Sequence, residues 1–329
     1  MIAETSYYKG SVTTSVYCIY GLNLKSNFKF THHLTASIRQ PDLTFECVDS
    51  APVSLDWKGA TPSFPAPGEP DWGIYFYPQN GFDILEFPDT GIFYVWSDKI
   101  LFQPDASANP ADWEIHFLGT VLSFWLERQG IVALHASGVV LGKDCAIGFL
   151  ASSQGGKSSL ASSLVQSGCS LLTDDILPVE CREDKVLGRP GYAQMRFWPD
   201  RAEHLLGRYD DLELVHPEYS KRRVSIGLDG WGSFCDELQP LKCLYLPERR
   251  DPSTWGTKIE IVSVSPSEAV MELVRQSFAA PILQAMGILP QRLESLAKIV
   301  RQIPVKRLIY PNGMNYLPQV GEAIQADIL

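Results

Sequence analysis

Residues Cys145–Ser159 read CAIGFLASSQGGKSS, and the fold follows from how this stretch is parsed. The apolar run Cys145–Leu150 predicts a buried strand, Ala151–Gly156 a tight loop, and Lys157–Ser167 a helix that Gly168 ends. A strand, a glycine loop closing on Gly-Lys-Ser and a helix together make a phosphate-binding loop. Gly155 and Gly156 let backbone N–H groups turn inward, and the helix N-terminus adds the positive end of its dipole. Ala151 stands where such loops usually carry their first glycine, which restricts that position to backbone angles open to a Cβ. The candidate nucleotide-binding residues are Ser152, Ser153, Gln154, Gly155, Gly156, Lys157, Ser158 and Ser159. Lys157 suits the β and γ phosphates of ATP, and Ser158 suits Mg²⁺. The competing explanation is a chance Gly/Ser turn between strand and helix.

Downstream, Cys169–Thr173 predicts a second strand that runs into Asp174-Asp175, sixteen residues after Ser158. A buried strand ending in acid presents a carboxylate to a phosphate-bound metal. Adjacent side chains on an extended strand point to opposite faces, so the two acids divide their tasks unless the strand has already bent. Upstream, His135 sits in the apolar strand Ile131–Leu141. Most histidines so placed are satisfied core residues, but a hairpin through Gly142-Lys143-Asp144 can return this one to the mouth of the loop. Arg189, Arg196 and the run Lys221-Arg222-Arg223 are candidate contacts for phosphate or for an acidic peptide end.

Over Leu134–Val179 this order of residues resembles the catalytic domain of the HPr kinase/phosphorylase family. That likeness implies an α/β P-loop kinase core of the HPr-kinase type with a β-rich N-terminal domain. It implies that Asp174, the first acid of the pair, takes the proton from a serine hydroxyl, that Asp175 stays near the metal, and that His135 and Lys157 act in catalysis. The family's Glu-x-Arg-Gly-x-Gly signature is absent. Residues 188–200 instead read GRPGYAQMRFWPD, which is similar to HPr-kinase-like proteins of modified-peptide pathways, the lasso-peptide precursor kinases among them.

Further out, residues 1–108 read as β-rich, with strands expected at Ser15–Tyr20, Asn27–Phe30, Leu43–Val48, Gly73–Tyr77 and Ile92–Trp96. Prolines at 62, 65, 67 and 70 make Gly59–Pro70 a surface loop. His32 and His33 read as a surface pair. This region holds no phosphate chemistry, so it is expected to select the acceptor, with an exposed sheet edge adding a peptide strand. Asn109 and Pro110 are helix-start residues, and Gly130 is a stop. Residues 109–130 therefore predict a connecting helix, whose Trp113, Phe117, Leu118, Val121, Leu122 and Trp125 give it a wide apolar surface to pack between domains. The third segment, 131–329, is the catalytic domain. Its further helices are expected at Pro199–Leu206, Ser267–Phe278, Pro290–Gln302 and from Leu317, with a strand at Lys306–Tyr310.

Composition narrows the function. The 329 residues carry 28 Lys+Arg against 38 Asp+Glu, a net charge of −10 that argues against a general nucleic-acid binder. The longest apolar run, Phe117–Leu126, is too short to cross a bilayer. The opening MIAETSYYKG has no basic start followed by an apolar run, so no secretory signal is read. Seven scattered cysteines predict reduced thiols and a cytoplasmic protein, and scattered histidines give a zinc site no support. The expectation is an ATP- and Mg²⁺-dependent kinase that moves the γ-phosphoryl group to a hydroxyl. Its acceptor would be a serine of a peptide or protein, such as a lasso-peptide precursor. A regulatory nucleotide-binding NTPase and a small-molecule hydroxyl kinase are the alternatives. Homo-oligomerisation is left open.

Overall fold

The computed structural model describes residues 14–52, 62–65, 73–106, 108–216, 220–227 and 230–328. Of the proline-rich loop expected at 59–70, all but 62–65 lies outside these residues. The chain is a mixed α/β protein that divides into two units, Met1–Val121 and Leu122–Leu329.

The first unit is built on an eight-stranded sheet. Its strands are β1 (Ser15–Ile19), β2 (Leu22–Ser26), β3 (Thr35–Ala36), β4 (Leu43–Cys47), β5 (Tyr75–Pro78), β6 (Asp83–Phe87), β7 (Gly91–Val95) and β8 (Lys99–Pro104), in the order β3-β1-β2-β4-β8-β7-β6-β5. The strand expected at Asn27–Phe30 is a turn instead, because the Ser26 hydroxyl accepts the Phe28 N–H at 2.9 Å and closes the chain locally. The released phenylalanines pack on α1 (Pro110–His116) and the turn that follows it. Phe28 meets Trp113 edge-on at 4.4 Å, and Phe30 stacks on Phe117 at 5.7 Å. Asn109 caps α1 as expected, its side chain accepting the Ala111 N–H at 3.0 Å.

The helix expected over 110–129 is not continuous. A π-helical turn, Phe117–Val121, separates α1 from α2 (Leu122–Arg128). The turn contains Gly119 and is pinned from the sheet side. Phe117 stacks on Phe45 at 3.9 Å, and the Tyr20 hydroxyl donates to the Leu118 carbonyl at 3.0 Å. Each fully buried ring of this kind contributes about 1.5–3 kcal/mol relative to exposure, enough to offset one irregular turn.

The second unit continues through β9 (Val132–Val140), β10 (Ala146–Leu150), α3 (Lys157–Gln166), β11 (Ser170–Thr173), β12 (Ile176–Cys181), β13 (Val186–Gly188), β14 (Gln194–Phe197) and α4 (Pro199–Leu206). It closes through β15 (Arg222–Ser225), β16 (Ser233–Phe234), β17 (Gln239–Arg250), α5 (Pro252–Trp255), β18 (Glu260–Ser263), α6 (Pro266–Arg275), α7 (Ala280–Leu283), α8 (Leu289–Gln302), β19 (Val305–Pro311) and α9 (Leu317–Ile328). Nine strands form one sheet in the order β16-β11-β9-β12-β13-β17-β19-β18, with β10 paired to both β9 and β17. Strands β14 and β15 make a separate ribbon.

Strand β10 shows how this sheet is buried. Ile147 and Phe149 join the apolar cluster of α3 and α9, through Leu160, Leu164, Val320 and Ile324. Ala146 and Leu150 join the cluster of α6 and α8, through Leu273, Leu296 and Ile299. Alternate side chains thus reach opposite faces, each covered by helices. Between them, a Cβ on Gly148 would lie 2.7 Å from the Leu244 side chain and 2.8 Å from that of Leu177, so any larger residue there would force both leucines to move.

Topology positions the site. Strand β9 pairs antiparallel with β10 and with β11, so β10 and β11 run parallel and end at the same edge. Strand β17 is parallel to β10, and β19 is parallel to β17. The carboxyl ends of β10, β11, β17 and β19 therefore share one edge with the first half of β9, the arrangement in which open α/β sheets bind ligands.

Candidate active site

The loop after β10 has the form its glycines allow. A Cβ on Gly155 would stand 2.4 Å from the Ala151 Cβ and 2.9 Å from the Ser152 carbonyl, so the loop folds back on its own first residue. Ala151 is tolerated because Gly155 makes the space. Gly156 has φ +96°, a left-handed angle that suits glycine, and it caps α3 with no side-chain hydrogen bond to the first turn. The amides of that turn are left to a ligand.

Lys157 is buried, and its ammonium donates to the carbonyls of Ala151 at 2.6 Å and Ser152 at 3.2 Å. An ammonium has three donors, so these two contacts leave one for a ligand oxygen. Burial pulls the Lys157 pKa down, and the charges of Asp175 and Asp174 oppose that.

The two aspartates occupy different environments. Strand β11 ends at Thr173, and the chain bends at once, with Asp175 at φ +79°. Asp174 is buried. Its Oδ1 accepts the hydroxyls of Ser137 at 2.6 Å and Ser158 at 2.8 Å, and its Oδ2 accepts the Arg196 N–H at 3.3 Å. Asp175 is 37% exposed, 3.3 Å from His135 Nε2 through Oδ1 and 3.4 Å from Arg196 Nη1 through Oδ2. Burial works against its ionisation, but the hydrogen bond from His135 and the charge of Arg196 outweigh it and hold the carboxyl below the usual range. His135 reaches this position because its half of β9 pairs with β12, opposite Ile176, just past the bend. Its own N–H donates to the Gln276 carbonyl at 2.7 Å, and its ring meets Phe278 edge-on at 5.9 Å.

These groups face a cleft of about 610 Å³, within the range of small-molecule sites. Its walls include His135, the loop from Ser153 to Ser159, Asp175 and Arg196. Ser152, which is exposed, and the buried Asp174 are not part of that wall. Three of the expected cations are elsewhere. Arg189 pairs with Glu180 at 2.8 Å. Arg222 donates to the Leu212 carbonyl at 2.9 Å and covers the Tyr209 ring, and Arg223 donates to the Val215 carbonyl at 3.1 Å. Each is occupied by its own surroundings, so these three are not cleft residues. Lys221, Arg201 and Arg249 line the cleft instead. Neither Arg201 nor Arg249 is marked by a sequence motif. Arg201 follows a correctly expected helix start, whereas Arg249 is the last residue but one of β17, a strand the sequence did not disclose.

The residues fit a magnesium nucleotide. Among the described residues no group of three or more His, Cys, Asp or Glu side chains could hold a metal ion. One hydroxyl and one carboxylate, Ser158 and Asp174 at 2.8 Å, are a donor set for Mg²⁺, which takes most of its ligands from phosphate and water.

No family model matches the chain, and no curated protein matches it. Among solved structures, the Hpr(Ser) kinase/phosphatase from Coxiella burnetii is similar, with 12% identity over 59% of this chain and 95% of that chain and a TM-score of 0.31. A likeness this loose carries no argument about chemistry. Among the described residues, no helix is long and apolar enough to cross a membrane.

Proposed function

We propose that the protein is an ATP- and Mg²⁺-dependent kinase that transfers the γ-phosphoryl group to a hydroxyl, with a serine of a peptide or protein as acceptor. The observation that carries this reading is the division of labour between the aspartates. One carboxylate is buried against the loop serine, and the other is open to the cleft beside His135.

We assign the two aspartates the opposite way from the family resemblance. Asp174, tied to Ser158, belongs to the metal side, and Asp175 is the base. Asp175 is held ionised, so it can orient an acceptor hydroxyl and take its proton as the oxygen–phosphorus bond forms. His135 fixes one oxygen of that carboxylate and Arg196 the other. Lys157 and the amides of the first turn of α3 neutralise phosphate charge, and bound Mg²⁺ supplies the remaining charge neutralisation at the transferring group. Acceptor choice is assigned to the first unit, whose sheet ends in the short strands β3 and β5, and the working compartment to the cytoplasm.

The test is transfer of labelled γ-phosphate to serine peptides. Asp175→Asn should bind ATP normally and lose transfer by about 10²–10⁴-fold. Asp174→Asn should raise the Mg²⁺ requirement. Normal transfer by Asp175→Asn overturns the assignment. ATP hydrolysis without transfer to any hydroxyl favours a regulatory NTPase.

A further inference from the structure

Two guanidinium groups flank the loop without an acidic partner to explain them. Arg249, at the carboxyl end of β17, donates through Nη2 to the Gln154 carbonyl at 2.7 Å. Its Cδ and Nε stand 3.9 Å from the place a Cβ on Gly156 would take, and the Tyr310 hydroxyl stands 2.9 Å from the same point. Tyr310 is Arg249's register partner across β17 and β19. Arg201, in the first turn of α4, completes the cluster. Burial lowers its pKa, Asp200 and Tyr310 raise it, and the like charge of Arg249 lowers it again. Its Nη1 is buried with no hydrogen-bond partner. Among the described residues neither guanidinium forms an ion pair with a carboxylate, although both line the cleft.

A guanidinium nitrogen buried without a partner is costly, and a second cation beside it adds repulsion. An anion between the two turns both costs into charge-assisted hydrogen bonds. The planar fork of arginine matches phosphate oxygens. The position selects which anion. Arg249 holds Gln154 and stands beside Gly156, on the loop itself, and Arg201 lines the same cleft, whereas the groups suited to act on an acceptor hydroxyl are His135 and Asp175.

We infer that Arg201 and Arg249 form a second phosphate subsite, which holds the non-transferred part of a nucleotide's polyphosphate chain from the side away from the loop amides. This rests on the nucleotide reading of the loop and extends it from one wall to two.

The experiment is calorimetric titration of the full chain with inorganic tripolyphosphate and with ATP, using wild type, Arg201→Gln, Arg249→Gln and Lys157→Ala. Each arginine variant should lose about 10- to 100-fold in affinity, the loss expected for one charge-assisted contact, and the loss should be similar for both probes. Arg201→Gln should melt no lower than wild type, because it removes a like charge. A role in folding alone would lower the melting point and leave Arg249→Gln, which changes an exposed side chain, binding normally. Unchanged tripolyphosphate affinity in both arginine variants, with a loss in Lys157→Ala, overturns the subsite and leaves the loop reading intact. Unchanged affinity in Lys157→Ala overturns the loop reading itself. An arginine variant that raises only the acceptor KM assigns the pair to the acceptor and overturns the proposal.

Discussion

His32–Glu114 in the first unit and His135–Asp175 in the second are both histidine–carboxylate pairs, and they have little else in common. In the first unit His32 Nδ1 lies 2.6 Å from Glu114 Oε1, with both side chains fully buried. The same carboxylate accepts the Thr31 N–H at 3.0 Å, the Thr31 hydroxyl at 2.7 Å and the His32 N–H at 2.7 Å. In the second unit His135 and Asp175 stand 3.3 Å apart and are 29% and 37% exposed, at the wall of the cleft. The two residue types therefore do not define a role. A carboxylate surrounded by donors in a dry interior fastens chain segments together, whereas one kept ionised at a cleft wall still has lone pairs for a substrate. Burial and satisfaction separate the two cases, and neither can be read from residue identity.

The contrast can be broken from either side. Glu114→Ala should have the largest effect on stability, about 3–5 kcal/mol, because it leaves the buried ring and backbone N–H of His32, and the two part-buried donors of Thr31, without their acceptor. Urea unfolding followed in the first unit measures it. The pair also has a signature in acid. Burial opposes Glu114's ionisation, but the His32 and Thr31 contacts prevail and lower its pKa, so its contribution is complete above the ordinary glutamate value and lost as pH falls through the lower folded one. Glu114→Gln should flatten that acid slope.

His135→Ala should leave the urea midpoint within about 1 kcal/mol, as for a partly exposed pair. Transfer should fall about 10- to 100-fold, the worth of a hydrogen bond to a charged group. Stopped-flow transfer and a denaturation curve on one sample decide it. A large stability loss without a rate effect would make the two pairs equivalent. Ser158→Ala should cost about 1 kcal/mol, seen as a several-fold higher Mg²⁺ requirement that excess metal restores. His33→Ala should change stability by less than about 0.5 kcal/mol, since His33 is exposed. A larger loss would show that burial alone does not separate the two histidines of this turn.

The sequence made the ends of the site legible and left its walls obscure. Strand β10, its loop and α3 are local, and Gly-Lys-Ser after an apolar run marks them without tertiary information. Helix α4 lies where the sequence puts it. Strand β17 escaped notice because QPLKCLYLPERR mixes two prolines with charges at its end, although the strand lies between β13 and β19 and its central residues are buried. Arg249 was hidden with it. His32 was misread as a surface residue because the carboxylate that buries it comes from α1, more than 80 residues away. The residues alone left the division between Asp174 and Asp175 open, and the resemblance made Asp174 the base and Asp175 the acid near the metal, the opposite of the assignment proposed above. That division depends on a bend directly after Thr173, which no residue pattern announces.

That bend has a consequence for descent. A left-handed backbone costs a residue with a Cβ about 1 kcal/mol or more, while glycine bears almost none of it. Position 175, at φ +79°, carries that cost with an aspartate. The contacts of its carboxylate with His135 and Arg196 work against the strain. In a lineage relieved of its chemistry, glycine at this position would become favourable only once those two partners had changed, so the three residues would drift as a group.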